Sequence, residues 1–552
     1  MNNNDFFTIF IFPFKYERAD KKDLEPDKIA HLLSNGNKDS KKGWVIEHYA
    51  IDSVDNYNEF YYFHPNVQKA LFNKKRNTGM EFLKRTDFHK LTVQYYDTDN
   101  HLQTIETQVN EIDIHLFDNQ IGLLTITTEK REDDKTTDFH ALLKYNDMVR
   151  RVYPPHLGDI NTCGLKQNEE KKGNIKNIQF INSLTCENTC KPKYDSRLLP
   201  VRISLCGDNN KLVGEDFEPI NLKANEDKDI VFLSNIIKEL LAPFDLKHTH
   251  NMSMDKGKIY YTPFIDDRMF IVSYYSDNDV SYKLKNRCCD GYEYEISDDW
   301  YRFIFVDGNY ANIENDAMKY DLIRSHTYAR WAKFGSLFGM SRYSFVLLCS
   351  TDAPSYLKQH MKSMYYQMAM IVLFQRAMLL KFAEDIDDLT LCFEVGKLST
   401  DLKEKSDRLH GEFIKFINKY WFVEVTPQEQ GIEIYNQWMG LLNLEKLYNE
   451  VQKEVSELAG YVENKIEAET NSRVAMITYV GFPVLILGLI TGILQCDVCK
   501  IKDALSFKVI GIILSLGFLF VFFCPRFRRM VNCKMVSWLK DKVSLWCLQK
   551  DQ

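Results

Sequence analysis

The sequence FFTIFIF at residues 6–12 is the strongest indication of a β-sheet in the first part of the chain. It follows Asp5 rather than a basic stretch and ends at Pro13, so a buried strand explains it better than a signal peptide. Further β-rich runs, alternating or apolar, indicate strands at 44–51, 90–96, 112–117, 122–127, 201–206, 258–262, 269–275 and 301–306.

Helical periodicity follows and then dominates the rest of the chain. It predicts helices over 66–72, 139–152, 233–241, 313–330 and 356–383. The apolar runs 368–374 and 378–380 are interrupted by Gln375 and Arg376, so we predict a buried core helix there rather than a membrane span. Strands first and only helices later indicate an α+β or α/β domain over 1–350, in two lobes divided near the polar stretch 166–177, followed by a helical bundle and stalk over 351–473.

Composition excludes several classes of protein. The 552 residues are 45% hydrophobic, which excludes disorder as the main state. The 70 basic and 77 acidic residues give a net charge of −7, which argues against direct binding of nucleic acid. Phosphate-loop, dinucleotide, zinc-protease and nucleophile-elbow motifs are missing from the sequence, so we expect no enzyme and no particular cofactor.

The stalk is predicted as one helix over 427–494. Thr426 and Glu429 form a capping box around Pro427, and no further proline occurs before Pro483. An apolar seam steps by four and three residues, as in a coiled coil, through Leu444, Tyr448, Val451, Val455, Leu458 and Val462. Such a helix must pack against copies of itself, against the preceding helix near 399–420, or against both.

The run VAMITYVGFPVLILGLITGIL at 474–494 carries no charge and matches the thickness of a bilayer, so it is predicted as a first transmembrane helix. A second span is predicted over 507–525, with an outer loop at 495–506 and a basic tail at 526–552. The excess of Arg and Lys in that tail predicts a multi-pass protein of the inner (cell) membrane with both termini cytoplasmic.

Small and polar residues form one stripe on the first predicted span. Three-four stepping places on it Asn471, Val474, Thr478, Gly481, Leu485, Gly488, Gly492 and Gln495. Such a stripe indicates either close helix packing or a pore lining, and periodicity alone does not separate the two. Cys496 and Cys499 in the loop are spaced for a small disulfide or for metal binding.

This arrangement resembles the CorA family of divalent-cation channels. A large N-terminal part, a long helix entering the first span, a short loop and a basic tail are shared, and LITGI at 489–493 resembles the stretch before the family's Gly-Met-Asn signature. The resemblance implies a homopentamer in a lipid bilayer that passes cations passively, divalent ions among them, with the stripe lining the pore. Gln495, Cys496 and Asp497 stand where the signature would form the outer mouth, a departure that bears on Mg²⁺ selectivity.

Other phrases resemble a divergent branch of CorA-like proteins that accompany type III CRISPR systems, among them YFHPNVQKALF (62–72), RRVYPPHL (150–157) and RWAKFGSLFGMSRYSF (330–345). That resemblance implies an antiviral membrane effector gated by a nucleotide messenger, such as a conjugate of S-adenosylmethionine with AMP. A messenger needs cations for phosphate and flat side chains for the base, and the candidates are Arg150, Arg151, Arg268, Arg330, Trp331 and Arg342. The alternatives are a CorA-type transporter of Mg²⁺ or another divalent metal, and a poreless membrane-anchored sensor or scaffold.

Overall fold

The computed structural model describes residues 4–18, 25–35, 43–72, 80–97, 101–134, 136–152, 200–208, 211–216, 233–247, 255, 258–266, 268–288, 291–394 and 400–495. The chain forms two compact units, Met1–Ala459 and Gly460–Gln552. The strands and most helices belong to the first unit.

Within the described residues, fourteen strands form one mixed sheet and two short strands, β12 and β13, pair separately. The strands are β1 (Asp5–Arg18), β2 (Val45–Glu47), β3 (Met80–Arg85), β4 (Phe88–Tyr96), β5 (Leu102–Phe117), β6 (Ile121–Lys130), β7 (Pro200–Gly207), β8 (Leu212–Asp216), β9 (Asp245–Leu246), β10 (Ile259–Pro263), β11 (Phe270–Ser276), β12 (Arg287–Cys288), β13 (Gly291–Tyr292), β14 (Thr327–Tyr328), β15 (Leu337–Met340) and β16 (Ser344–Cys349).

The main path through the sheet runs β14-β15-β16-β11-β1-β6-β5-β4-β7-β8. Strands β11 and β16 pair in parallel, as do β9 and β10, and the other pairs are antiparallel. The first strand of the chain therefore lies in the middle of the sheet, with its neighbours supplied by β6 and by β11, far along the sequence.

The helices are α1 (Pro26–Asn35), α2 (Val54–Tyr62), α3 (Pro65–Leu71), α4 (Phe139–Val149), α5 (Asn235–Leu241), α6 (Asn278–Leu284), α7 (Asp298–Phe305), α8 (Asp316–His326), α9 (Tyr356–Lys362), α10 (Met364–Glu394), α11 (Thr400–Tyr420), α12 (Glu429–Leu441) and α13 (Leu444–Gln495).

Strand β1 is buried on both faces, as the prediction from FFTIFIF requires. On one face, the Thr8 hydroxyl donates to Oδ1 of Asn146 in α4 over 2.8 Å. On the other, Lys362 of α9 lies over the ring of Phe7, 5.2 Å from its centroid. Each phenylalanine removed from water contributes about 1.5–3 kcal/mol, so the aromatic strand stabilises a sheet that is covered on both sides.

Helix α10 confirms the predicted buried core helix. Gln375, which interrupts the apolar run, is fully buried, and its amide joins three helices. Its Nε2 donates to the carbonyl oxygen of Tyr420 at the end of α11 over 3.0 Å, and its Oε1 accepts from the hydroxyl of Tyr435 in α12 over 3.1 Å. The polar residue therefore has its partners inside the protein.

One predicted strand, at 301–306, is wrong, because residues 301–305 belong to helix α7 and Val306 is its C-cap. The Ser297 hydroxyl caps the helix by accepting from the backbone N–H of Trp300 over 3.3 Å. Asp298 and Asp299 occupy the first turn, where their negative charges stabilise the positive end of the helix dipole. Aromatic alternation resembles a strand, but residues 300–304 are buried at every position, so the capping serine and not the burial pattern indicates the helix.

The predicted continuous stalk helix is interrupted near residue 443. Helix α12 ends at Leu441, and Asn443 adopts a left-handed conformation with φ of 52° before α13 begins at Leu444. Asparagine is one of the few residues that tolerate this conformation, and it commonly ends a helix. The prediction overlooked Asn443 because it searched only for proline as a helix breaker.

The predicted C-terminal transmembrane hairpin is wrong. None of the helices within the described residues is both long enough and apolar enough to cross a membrane. Hydropathy singled out 474–494 as a separate segment, whereas these residues continue α13, whose preceding turns carry Glu463, Lys465, Glu467, Glu469 and Arg473. The same finding contradicts the predicted multi-pass location in the inner membrane with cytoplasmic termini. The predicted second span at 507–525 and the tail at 526–552 lie outside the described residues.

Candidate functional site

The candidate site is built at the C-terminal end of α4. Asp138 caps the start of this helix, because its carboxylate accepts from the backbone N–H of Ala141 over 2.8 Å. Asn146 fixes the helix on the sheet, since its amide also donates to the hydroxyl of Ser273 in β11 over 3.1 Å. The last turn and the residues after it are thereby held over the beginning of β11.

Arg150 follows the last residue of α4 and is 1% exposed. Its Nη2 donates to the carbonyl oxygen of Val306 over 3.0 Å and to Oδ1 of Asp147 over 3.4 Å. Its guanidinium carbon lies 5.5 Å from the centre of the Tyr343 ring. The Nε and Nη1 donors of Arg150 have no hydrogen-bond partner among the residues that the structure describes.

Part of this arrangement is structural. Val306 is the C-cap of α7. A cation beside the last carbonyl groups of a helix stabilises the helix, because these groups carry partial negative charge. That role uses Nη2 alone. A buried guanidinium normally satisfies its five N–H donors, so the unused Nε and Nη1, which together carry three of the five, are an exception that requires an acceptor.

Two other arginines act directly on Arg150, and Tyr343 connects it to two more. Arg151 pairs with Asp147, with Nη2 3.1 Å from Oδ2, and its backbone forms a bridge to that of Arg268. The charges of Arg151 and Arg268 both act on Arg150. Arg376 of α10 interacts electrostatically with Arg342 and with Tyr343, the aromatic residue beside Arg150. We call these five side chains the arginine site: Arg150, Arg151, Arg268, Arg342 and Arg376.

The electrostatics of the arginine site disfavour further positive charge. Burial lowers the pKa of Arg150, Asp147 opposes this change, and Arg268 and Arg151 reinforce it. Burial likewise lowers the pKa of Arg376, and Arg342 reinforces the effect. Like charges held together at partly buried positions are relieved by an anion, and phosphate is the anion that arginine binds best.

Two residues with strained backbones border the arginine site. Val306 has φ of 58°, and Ile265, just before Asp266, has φ of 82°. Both are β-branched residues, for which this left-handed region is unfavourable by roughly 1–2 kcal/mol. Strain of this kind is retained where the surrounding structure imposes it, and it concentrates at functional sites.

Sequence reasoning placed four of its six ligand candidates in this region and two elsewhere. Arg330 pairs with Glu433 over 2.7 Å, and Nε1 of Trp331 lies 3.3 Å from Oε1 of Gln430, so both contact α12 instead. It missed Arg376 and Tyr343. The spacing of Asp147 before Arg150 and Arg151, three and four residues along a helix, was the signal that would have found their shared carboxylate.

The predicted pore residues lie along the last part of α13. Val474 and Leu485 are exposed, and the Thr478 hydroxyl donates to the carbonyl oxygen of Val474 over 2.8 Å. Asn471 and Gly488 are exposed too, Gly481 is half-buried, and Gly492 and Gln495 belong to the same helix. Cys496, Asp497 and Cys499 lie outside the described residues. The pore lining and the outer mouth stay predictions.

No protein-family model matches the chain, and a search of curated proteins finds no match to it. The resemblance to the CorA family therefore stays a prediction, and the arginine site is the feature of the structure that bears on function.

Proposed function

We propose that this chain is a ligand-gated effector whose sensor is the arginine site. The ligand is a nucleotide that carries phosphate, as the resemblance to CRISPR-associated CorA-like proteins implies. The observation that carries the proposal is the buried guanidinium of Arg150, with Nε and Nη1 unpartnered among the described residues. A phosphate oxygen would satisfy these donors through charge-assisted hydrogen bonds.

The surroundings of Arg150 suit both parts of a nucleotide. Five arginines stand against three acidic neighbours, Asp147, Asp266 and Asp307, which leaves a positive balance for phosphate. Tyr343 is 39% exposed and stands beside Arg150, so its ring offers a flat surface on which a base could stack.

The proposed output is passive cation conduction by a homo-oligomer, with divalent ions among the permeant species. It rests on the resemblance to CorA alone. A sensor or scaffold without a pore is the alternative, and it shares the same ligand site. Ligand binding and conduction are therefore tested separately.

The binding test uses isothermal titration calorimetry of the full-length chain with AMP and with the S-adenosylmethionine–AMP conjugate. Arg151→Ala removes a half-buried cation of the site, and we expect it to weaken binding about 10- to 100-fold, the value of a charge-assisted hydrogen bond. Arg330→Ala is the matched control, because it removes an arginine that pairs with Glu433 outside the site.

We expect Arg330→Ala to change the dissociation constant less than about twofold, as is usual for an exposed pair. Adenosine, which lacks phosphate, should bind much more weakly than AMP. Equal losses in the two variants, or equal binding of adenosine and AMP, would refute the arginine site as the phosphate sensor.

A further inference from the structure

A cavity of about 540 Å³ lies on the face of the sheet that is covered by α9 and α10. Its floor comes from strands β3, β5 and β6, and its walls from the segment after β2, from α2 and from the α9–α10 junction. None of the residues of the arginine site lines it, so it is a second, separate feature of the fold.

The cavity is strongly acidic. Its two lysines are already engaged, Lys84 with Glu111 and Lys362 with Glu129. Five further carboxylates line it and form no salt bridge with a lysine among the described residues: Glu47, Asp52, Asp55, Glu59 and Asp113. His115 adds no positive charge, because burial lowers its pKa to about 3. The cavity therefore attracts cations.

Asp113 is the carboxylate that provides the strongest evidence for a ligand in this cavity. It is 5% exposed and lines the cavity, and its Oδ1 has no hydrogen-bond partner among the residues that the structure describes. Burial raises the pKa of Asp113 well above its ordinary value, and Glu111 and Glu47 reinforce the change, whereas Lys84 and the Thr125 hydroxyl oppose it. A cation placed beside Oδ1 would stabilise the ionised form.

Glu59 and the aromatic walls complete the cavity. The hydroxyl of Tyr49 donates to Oε2 of Glu59 over 2.9 Å, and Nε2 of Gln367 donates to Oε1 over 3.0 Å, so this carboxylate is held in one orientation. The rings of Phe82 and Tyr49 line the cavity as well. Aromatic faces beside carboxylates suit the methylene groups and charged ends of an organic amine.

We propose that this cavity binds an aliphatic polyamine, with one ammonium group on Oδ1 of Asp113 and the others on the remaining carboxylates. A metal ion is disfavoured because no three acidic, histidine or cysteine side chains within the described residues converge closely enough to ligate one. Several separated carboxylates with aromatic surface between them match a chain of separated ammonium groups instead. The proposal is independent of the nucleotide sensor.

The test is calorimetric titration of the full-length chain with spermidine. Asp113→Asn keeps the shape of the side chain and removes its charge, and we expect it to weaken spermidine binding about tenfold or more. Glu47→Gln is a second variant at an exposed position of the cavity, where folding is not at risk, and a loss of about two- to fivefold is expected. Asp133→Asn, which removes a carboxylate paired with Arg131 outside the cavity, is the control and should not change binding.

Three results would overturn the proposal. The first is no detectable heat of binding with millimolar spermidine. The second is unchanged affinity in both Asp113→Asn and Glu47→Gln. The third is equal displacement of spermidine by MgCl₂ at the same concentration, which would identify a diffuse attraction of cations. None of these results bears on AMP binding, so failure here is distinguishable from failure of the nucleotide sensor.

Discussion

Arg150 shows how one residue serves both folding and a site. Its Nη2 holds the end of α7 through Val306, and the rest of its guanidinium lacks a partner within the described part of the chain. The orientation of α7 relative to α4 therefore determines where the unused donors lie. Contacts between these two helices should influence ligand binding without touching the ligand.

His140 and Asp299 form such a contact. His140 of α4 and Asp299 of α7 are 3.2 Å apart, and the hydrogen bond between them raises the pKa of His140 and lowers that of Asp299. Arg302 also faces Asp299 and opposes the change in His140, whereas Asp138 supports it.

We expect His140→Gln to destabilise the protein more at pH 5.5 than at pH 8.5. A raised pKa in the folded state stabilises the protein below the unfolded pKa of 6.5, and the effect is lost as pH rises through the folded pKa. The lowered pKa of Asp299 stabilises above 3.8, so both contributions are present together between about pH 4.5 and 6. Thermal unfolding midpoints at the two pH values measure this difference, and an equal loss at both would contradict the ion pair.

At the scale of elements, α12 is held on the sheet by Trp438. This side chain is fully buried and stacks on Phe345 of β16 with ring centres 5.0 Å apart, and on Phe270 of β11 at 5.6 Å. Its Nε1 has no partner among the described residues. The helix is therefore anchored by aromatic packing rather than by the indole hydrogen bond.

We expect Trp438→Ala to lower the free energy of unfolding by about 3–5 kcal/mol, because it leaves a large cavity under α12. Trp438→Phe keeps one stacked ring and removes an unsatisfied donor, so it should cost much less. Urea denaturation of both variants measures the two losses. Equal losses would mean that the indole N–H, and not the stacking, holds the helix.

At the scale of the whole molecule, the proposed cation conduction can be tested independently of nucleotide binding. The residues that the resemblance to CorA assigns to a pore include Leu485, which in such a pore would form a hydrophobic constriction that closes by dewetting. We expect Leu485→Asn to raise ligand-independent cation flux at least about tenfold in liposomes containing the full-length chain. Arg151→Ala should leave basal flux unchanged and shift the response to nucleotide concentrations about 10- to 100-fold higher. Impermeability of both the parent and Leu485→Asn, with and without ligand, would favour the sensor without a pore.

The number of subunits is the second property of the whole molecule that is predicted. The resemblance to CorA implies five copies. The apolar seam at the start of α13 already has a partner within the chain, since Leu444, Val451 and Val455 are buried and Tyr448 stacks on Trp421 with ring centres 4.5 Å apart. Native mass spectrometry of the purified particle should give five subunits, and one or two would exclude a ring around a central axis.

Sequence patterns were sufficient to predict those helices and strands whose structure is determined by side chains close together in the sequence. The aromatic strand at 6–12, the helix that contains Gln375 and the arginine pair 150–151 were found in this way, because burial and charge spacing leave a local periodicity. Residues 301–306 show the limit, since aromatic alternation suits both a strand and a short helix until the capping serine is considered.

The sequence was sufficient to predict that a β-rich part precedes a helical part, and that arginines follow a buried helix. The tertiary structure was needed to establish that β1 lies between β6 and β11, that Arg376 lies near Arg342 and Tyr343, and that carboxylates from α2 and β5 share one cavity. It also decided that the apolar run at 474–494 continues the charged helix α13. The physical reason is that strand pairing and helix packing join residues hundreds of positions apart, and such contacts leave no periodic trace in the chain.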